Sequence, residues 1–169
     1  GSGLQTSDNN RFLRQWFEVD YLNIEFKAHD SSTAKHSPRK WFPHKKGGPY
    51  RKWYGNNDFV LNWGNGGEEL YEFASNLYGS PTRIIKNTHR YYQKAITWSH
   101  TTSSHFSARV LEEGFIFNVE APSLFGVEEE FFLPYLCSVV GIRFIELANP
   151  TLHFVSNSVG ELPFAYDTV

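Results

Sequence analysis

The alternation of apolar and polar residues along the chain predicts short strands separated by turns. Residues Phe59–Trp63 alternate in this way, and the glycines that follow at 64, 66 and 67 are typical of a strand that ends at a turn. The same pattern predicts three further strands, at Ala95–Ser99, Ser107–Leu111 and Phe115–Val119. Because only residues 112–114 separate the last two strands, we expect them to form a hairpin.

Two stretches have the spacing of helices. Apolar residues recur every three or four positions over Glu68–Tyr78, and Gly79 suits the position just past the end of a helix. A longer helix is predicted over Val127–Leu147, with Ser123 as its cap and a kink or division at Pro134. Asn149 and Pro150 are then expected to stop that helix.

The remaining segments give weaker signals. Residues Phe12–Tyr21 fit a strand or a short helix, and Leu152–Val155 fits a final strand. Residues 28–50 are rich in proline and glycine, which predicts a long surface loop. Short, mostly antiparallel strands with a long C-terminal helical segment define an α+β fold, which we expect to be one domain over residues 1–169.

Composition narrows the class of protein. The single cysteine, Cys137, excludes an internal disulfide and a cysteine-cluster zinc site, and no apolar run has the length of a membrane span. No basic-then-apolar leader opens the chain, so we expect a cytoplasmic protein without membrane contact. We further expect a monomer, with Gly1 and Ser2 a remnant of cloning.

Charge is strongly segregated along the sequence. Residues 31–57 hold seven Lys or Arg and residues 73–111 hold five, and neither window contains an acid. From Glu112 onward there are nine acids and one base. Aromatic residues, 17% of the chain, are interleaved with both basic windows. This arrangement suits a surface that binds phosphates and contacts bases, whereas chance clustering on a solvated surface is the alternative.

The sequence contains none of the catalytic motifs that we sought. There is no glycine-rich phosphate loop, no zinc-binding His-Glu-x-x-His and no pairing of the seven histidines with carboxylates at a spacing typical of metal ligands. Glu128–Glu130 fit the first turn of a helix better than an acid–base pair, and Cys137 fits a buried, inert thiol. We therefore expect a segment that is not an enzyme and holds no metal.

Several motifs resemble one family. Residues 3–14, GLQTSDNNRFLR, are similar to the segment GLQTGDNNRFLR of adenine-specific DNA methyltransferases from BREX and phage-growth-limitation systems, with Ser7 where that family usually has glycine. Related segments occur in single-chain type II restriction–modification enzymes. The resemblance continues, in the family's order, through KKGG at 45–48, RKWYGN at 51–56, VLNW at 60–63, ITWS at 96–99, GFIF at 114–117, LCS at 136–138 and NPTL at 149–152.

In that family the matching stretch is the target recognition domain, which follows the catalytic domain and reads the DNA site. The resemblance thus implies double-stranded DNA and the protein's own N-terminal methyltransferase domain as partners. It also implies that S-adenosylmethionine binds the catalytic domain and that no cofactor binds this segment. The catalytic Asn-Pro-Pro-aromatic motif is absent, because Asn149-Pro150 is followed by Thr151.

Candidate DNA contacts lie in the two basic windows. Arg51 suits guanine because its guanidinium makes two parallel hydrogen bonds, although an ion pair with Asp58, Glu68 or Glu69 is the alternative. Trp53 and Trp63 are expected to pack in the core, and Asn56 fits a turn or an adenine contact. The full set is Lys45, Lys46, Gly47, Gly48, Arg51, Lys52, Asn56, Arg83, Lys86, Arg90, Thr97, Ser99, Ser103 and Ser104.

Three functions compete at this point. Sequence-specific recognition of duplex DNA within an adenine-N6 methyltransferase is the first. A carbohydrate-binding module and a single-strand nucleic-acid binder are the others, because exposed aromatic rings also stack on sugars and on unpaired bases.

Overall fold

The predicted α+β fold is confirmed. The computed structural model describes residues 2–102, 105–149, 151 and 153–163. The helices of these residues are α1 (Asn9–Phe12), α2 (Ser31–His36), α3 (Gly64–Tyr78), α4 (Glu129–Cys137), α5 (Val139–Ala148) and α6 (Ser156–Gly160). The strands are β1 (Leu13–Gln15), β2 (Trp41–Lys45), β3 (Phe59–Asn62), β4 (Ala95–Trp98), β5 (Ala108–Leu111), β6 (Ile116–Phe117) and β7 (Ser123–Leu124). Short 3-10 helices lie at Trp16–Glu18, Tyr21–Asn23, Pro81–Arg83 and Thr88–Arg90.

The strands form two sheets. The first has the order β1-β3-β2-β6, antiparallel except for the β2–β6 pair, and the second has the antiparallel order β5-β4-β7. One hydrophobic core lies around the first sheet with α3, and the other packs the second sheet against α4 and α5. Ala95 belongs to the first core and Ile96 to the second. Because the two faces of β4 meet different cores, every residue of this strand is buried.

Local signals predicted several elements correctly. β3 and β4 lie where the alternation placed them, and α3 ends at Tyr78, followed by Gly79 in the left-handed conformation with φ 73°. The segment Phe12–Tyr21 contains both expected kinds of structure, because α1 ends at Phe12, β1 follows it and a 3-10 helix comes next.

The expected long loop over residues 28–50 is wrong. Asp30 caps α2 by accepting a hydrogen bond from the Thr33 N–H, and β2 follows with Pro43 at its centre. The edge of β2 that a Pro43 N–H would face pairs with β6 only from His44 onward. The missing donor therefore leaves the sheet intact.

The expected hairpin over residues 107–119 is also wrong. β5 pairs with β4 in the second sheet, whereas β6 pairs with β2 in the first. The turn between them is held by Tyr92, whose carbonyl accepts from the Gly114 N–H at 3.1 Å and whose N–H donates to Phe115 O at 2.9 Å. Because these long-range hydrogen bonds hold residues 114 and 115 against Tyr92, β5 and β6 do not pair with each other.

The C-terminal helical stretch is divided at Ser138 and not at Pro134. Pro134 lies inside α4, and the Ser138 side chain caps α5 by accepting from the Gly141 N–H at 3.0 Å. Ser123 does not cap this helix, since it lies in β7. Among the described residues no single helix is long and apolar enough to cross a membrane, and only α4 with α5, bent by 72°, meets that test as a pair.

The expected strand over residues 152–155 is not formed by its described residues. His153 makes an isolated antiparallel bridge with Thr101, and Phe154 and Val155 have no regular structure. Leu152 and the helix-stopping Pro150 lie outside the described residues. α5 ends at Ala148.

Candidate nucleic-acid interface

The β2–β3 loop, defined as residues 46–58, is fixed at its start to the second sheet. The Ser99 hydroxyl accepts from the Gly48 N–H at 3.1 Å and donates to the Gly48 carbonyl at 2.9 Å. The Asn56 amide then closes the loop on itself by donating to Pro49 O at 3.0 Å. Hydrogen bonds across the whole loop give it a defined shape.

The middle of this loop is attached to β5 and α4. The Trp53 N–H donates to Ala108 O at 2.9 Å, and the Val110 N–H donates to Trp53 O at 3.0 Å. Beside it, the Lys52 ammonium donates to Cys137 O at 2.8 Å, at the last residue of α4. The loop thus joins the two halves of the fold.

Four large side chains of the loop point away from these anchors. Tyr50 is 41% exposed, Trp53 50% and Tyr54 61%, and Arg51 is exposed as well. Among the described residues Arg51 makes no ion pair, so the alternative partners considered from the sequence are not used. The loop therefore presents a free guanidinium beside three aromatic rings.

The expectation that Trp53 packs in the core is wrong, whereas the same expectation for Trp63 is correct. Trp63 is 3% exposed and its ring lies 5.8 Å from that of Tyr91. Trp63 ends an alternating strand pattern, whereas Trp53 follows Arg51 and Lys52 in turn-like sequence. Only the pairing of Trp53 with β5 decides that its side chain faces outward.

Four of the predicted DNA contacts are buried. Lys45 and Thr97 have no exposed surface, and Ser99 and Asn56 are 6% and 7% exposed. The Thr97 hydroxyl donates to Pro122 O at 3.0 Å, as a core threonine does. These side chains hold the loop and the second sheet together. Because they are buried, they are not presented on the surface as DNA contacts.

Gly47 and Gly48, two of the predicted DNA contacts, lie where the loop backbone passes close to its neighbours. A Cβ on Gly47 would lie 2.5 Å from the Glu120 carbonyl oxygen, and one on Gly48 would lie 3.0 Å from the Asn56 side chain. A larger residue at Gly47 would force the backbone to shift, and one at Gly48 would require the Asn56 side chain to move by a few tenths of an ångström.

The other predicted contacts lie on or near the surface. Lys46 is half-buried, with its ammonium 5.5 Å from the centre of the Phe59 ring, and Arg83, Lys86 and Arg90 are exposed. Lys52 is half-buried and engaged with α4, so it supports the loop. Ser103 and Ser104 lie outside the described residues.

Arg109, which sequence reasoning did not select, is fully buried beside the loop. Its guanidinium donates to Ser99 Oγ at 3.0 Å, and its Nε has no hydrogen-bond partner. Burial lowers the pKa of Arg109 to about 10. Its place in the predicted strand Ser107–Leu111 is the only signal that sets this arginine apart from the other bases of the second window, and its burial results from the packing of β5 against the loop.

Lys45 is the second buried cation. Its ammonium donates to Gly55 O at 2.8 Å and to the Asn57 side chain. Burial lowers its pKa to about 7, and the charge of Arg109 adds to that effect. Two cations without a directly bonded carboxylate therefore lie beneath the loop.

Within the described ranges, no group of three or more His, Cys, Asp or Glu side chains is arranged to hold a metal ion. Cys137 is 5% exposed, and its thiol donates to Ala108 O at 3.3 Å. Burial raises the pKa of this thiol, which disfavours the nucleophilic thiolate.

Comparison with known proteins gives two relatives. The chain is 39% identical over 173 residues to the adenine-specific methyltransferase PglX of Lacticaseibacillus casei (strain Zhang), across 96% of this chain and 14% of that protein. It is 30% identical over 167 residues to the adenine-specific methyltransferase BrxX of Escherichia coli O9:H4 (strain HS), across 95% of this chain and 13% of that protein. No family model matches the chain. The chain is thus homologous to a segment of these methyltransferases and spans about 14% of the length of the first.

Proposed function

We propose that this chain is the target recognition domain of an adenine-N6 DNA methyltransferase in a phage-defence or restriction–modification system, and that it binds duplex DNA through the β2–β3 loop. The observation that supports this most directly is Arg51, an exposed and unpaired guanidinium on a loop whose backbone is fixed. A rigid support is what a side chain needs to read a base edge.

The charges of the two basic windows fit the same role. Among their twelve bases, Lys45 and Arg109 are buried, Lys52 bonds to α4, and Arg39 and Lys94 pair with Glu25 and Glu129. The remaining seven make no ion pair within the described residues: Lys35, Lys40, Lys46, Arg51, Arg83, Lys86 and Arg90. Free cations of this kind supply the phosphate contacts that hold a duplex.

The methyl transfer itself is assigned to a different part of the longer protein. The relatives are adenine-specific methyltransferases about seven times the length of this chain. In this proposal the segment before the recognition domain binds S-adenosylmethionine and transfers the methyl group. The present segment binds the DNA site that is to be methylated and is not an enzyme by itself.

Fluorescence anisotropy with a labelled duplex, measured across a salt series, tests the proposal. If about five of the free cations contact phosphate, the slope of log K against log salt is about −4 to −5, with affinity on the order of micromolar or weaker. Binding of the duplex that does not depend on salt would contradict recognition through phosphate contacts, and salt-independent binding of a sugar would favour a carbohydrate-binding module. Tighter binding of the matching single strand would favour a single-strand binder, and no binding at low salt would contradict DNA recognition.

A further inference from the structure

Trp53 has a backbone conformation that is costly for a tryptophan. Its φ is 71°, in the left-handed region that bulky side chains avoid. Among the described residues Tyr92 is the other aromatic residue with a positive φ, and it is 3% exposed in the core, so that burial offsets the cost. Trp53 is 50% exposed, and no aromatic ring of the described residues packs on it. In the free protein, half of this strained residue therefore remains exposed to solvent.

The surrounding structure imposes the conformation. Trp53 lies beside Arg109 in a parallel bridge, in which the Trp53 N–H donates to Ala108 O and the Trp53 carbonyl accepts from the Val110 N–H. The Lys52 bond to Cys137 O fixes the preceding residue. The backbone that carries this exposed indole is therefore held in place by β5 and α4. Backbone strain that is over-determined in this way is typical of residues that act on a ligand.

The neighbours of Trp53 indicate the chemistry of that ligand. Arg51 and Tyr54 are exposed on the same loop, and the loop holds no acid before Asp58. The buried cations Lys45 and Arg109 add positive charge beneath it. An exposed aromatic ring on a fixed backbone, in a positive field, is suited to stacking on the bases of a polyanion.

We propose that Trp53 is an aromatic wedge, which enters the base stack of the bound duplex and opens one base step. This inference rests on the proposed function, since it requires that the chain binds duplex DNA. Side chains that wedge between base pairs unstack the step and bend the duplex, which brings more protein surface into contact. In this arrangement Trp53 distorts the site while Arg51 contacts a base edge or a phosphate.

The test uses the whole 169-residue chain with sheared, mixed-sequence duplex DNA at low salt. Stacking on a base quenches indole emission, so duplex DNA should quench the chain's tryptophan fluorescence. Trp53→Phe should remove most of that quenching. The control is Trp16→Phe, since Trp16 is 48% exposed but lies outside the loop, and this variant should keep the quenching. Thymines in the bound duplex should become reactive to permanganate with the parent chain and should stay unreactive with Trp53→Ala.

Two further variants separate stacking from folding. Trp53→Ala should melt close to the parent temperature and bind duplex about tenfold more weakly, the loss expected for one stacked base. Trp53→Gly should melt at a higher temperature, because glycine adopts the left-handed conformation freely, and should lose the permanganate signal.

The outcomes distinguish the wedge from the proposed function. Duplex binding by anisotropy without quenching that depends on Trp53 would overturn the wedge and leave DNA recognition standing. Quenching by single strands but not by duplex would also overturn it. No duplex binding by the parent chain would overturn both.

Discussion

The Lys45 ammonium and the Arg109 guanidinium are both completely buried, and each makes its hydrogen bonds to neutral oxygens. Lys45 bonds to Gly55 O, and Arg109 bonds to Ser99 Oγ. Glu112 and Asp58 act on Lys45 only through their charge, and their effect on its pKa is smaller than those of burial and Arg109. This pair places positive charge inside the fold, where it carries a cost in stability.

Stability should therefore rise with pH above neutrality. Burial lowers the pKa of Lys45 from 10.5 to about 7, so between these values the unfolded chain binds one more proton than the folded chain. The free energy of unfolding then increases by up to about 1.4 kcal/mol per pH unit. Urea unfolding between pH 7 and pH 9 measures this slope. Above pH 9 the raised pKa of the Cys137 thiol acts in the opposite direction.

Lys45→Met removes the titrating group, and the slope should become nearly flat. The matched control is Lys46→Met, because Lys46 is the next residue in the chain and is only half-buried. This variant should keep the pH dependence of stability of the parent. An equal slope in the parent and in Lys45→Met would show that Lys45 does not lose its proton in this range.

Arg51→Ala and Lys46→Ala should weaken DNA binding in different ways. If Arg51 contacts guanine, its removal costs about 1–3 kcal/mol and relaxes preference at one base pair. Lys46→Ala should weaken all sequences alike and reduce the salt slope by about one unit. Anisotropy against a set of duplexes measures both effects, after melting curves confirm that each variant folds like the parent. If Arg51→Ala weakened binding to every duplex by the same factor, the result would contradict a contact between Arg51 and a base.

Lys52→Ala should act on stability. The ammonium donates to Cys137 O at the end of α4, and a lost hydrogen bond of this kind costs about 1–3 kcal/mol. Thermal unfolding should show a lower melting temperature for Lys52→Ala than for Arg51→Ala, whose side chain is exposed and unpaired. Equal melting temperatures would mean that the Lys52 contact does not support the fold.

At position 7, glycine should give a more stable protein than alanine. The φ of Ser7 is 59°, and its hydroxyl accepts a hydrogen bond from the Tyr78 hydroxyl at 3.0 Å. Both Ser7→Gly and Ser7→Ala lose that hydrogen bond, but only glycine adopts the left-handed region without strain. We expect Ser7→Gly to be about 1 kcal/mol more stable than Ser7→Ala in urea unfolding. The reverse order would show that the turn changes shape when the side chain is removed.

The chain should not bind S-adenosylmethionine or methylate DNA. Asn149-Pro150-Thr151 lacks the second proline and the aromatic residue of the catalytic motif. Isothermal titration calorimetry with the cofactor should give no saturable heat. Micromolar binding would contradict the division of roles that we propose between this segment and the rest of the methyltransferase.

Sequence patterns were informative wherever a local rule determines the structure. The alternation in β3 and the glycine after α3 needed no knowledge of distant residues. The α5 cap at Ser138 is also local, but Pro134 gave a stronger apparent signal, because proline in a helix is usually a break.

Contacts between distant residues decided the features that were missed. β5 and β6 are adjacent in sequence but belong to different sheets, since Tyr92 holds the turn between them. In the candidate site, residue type suggested a surface role for Lys45 and Thr97, and packing buried both. Trp53 was missed for the opposite reason, because a tryptophan is normally a core residue and here its backbone pairs with β5.

The attachment of the β2–β3 loop to distant parts of the chain has a consequence for folding kinetics. Gly48 bonds to a residue 51 positions away, and Lys52 bonds to one 85 positions away. Contacts of such high sequence separation form late, because the entropy of closing long loops must be overcome first. We therefore expect the surface that carries Arg51 and Trp53 to take shape late in folding, so that a partly folded chain lacks an organised surface with which to hold DNA.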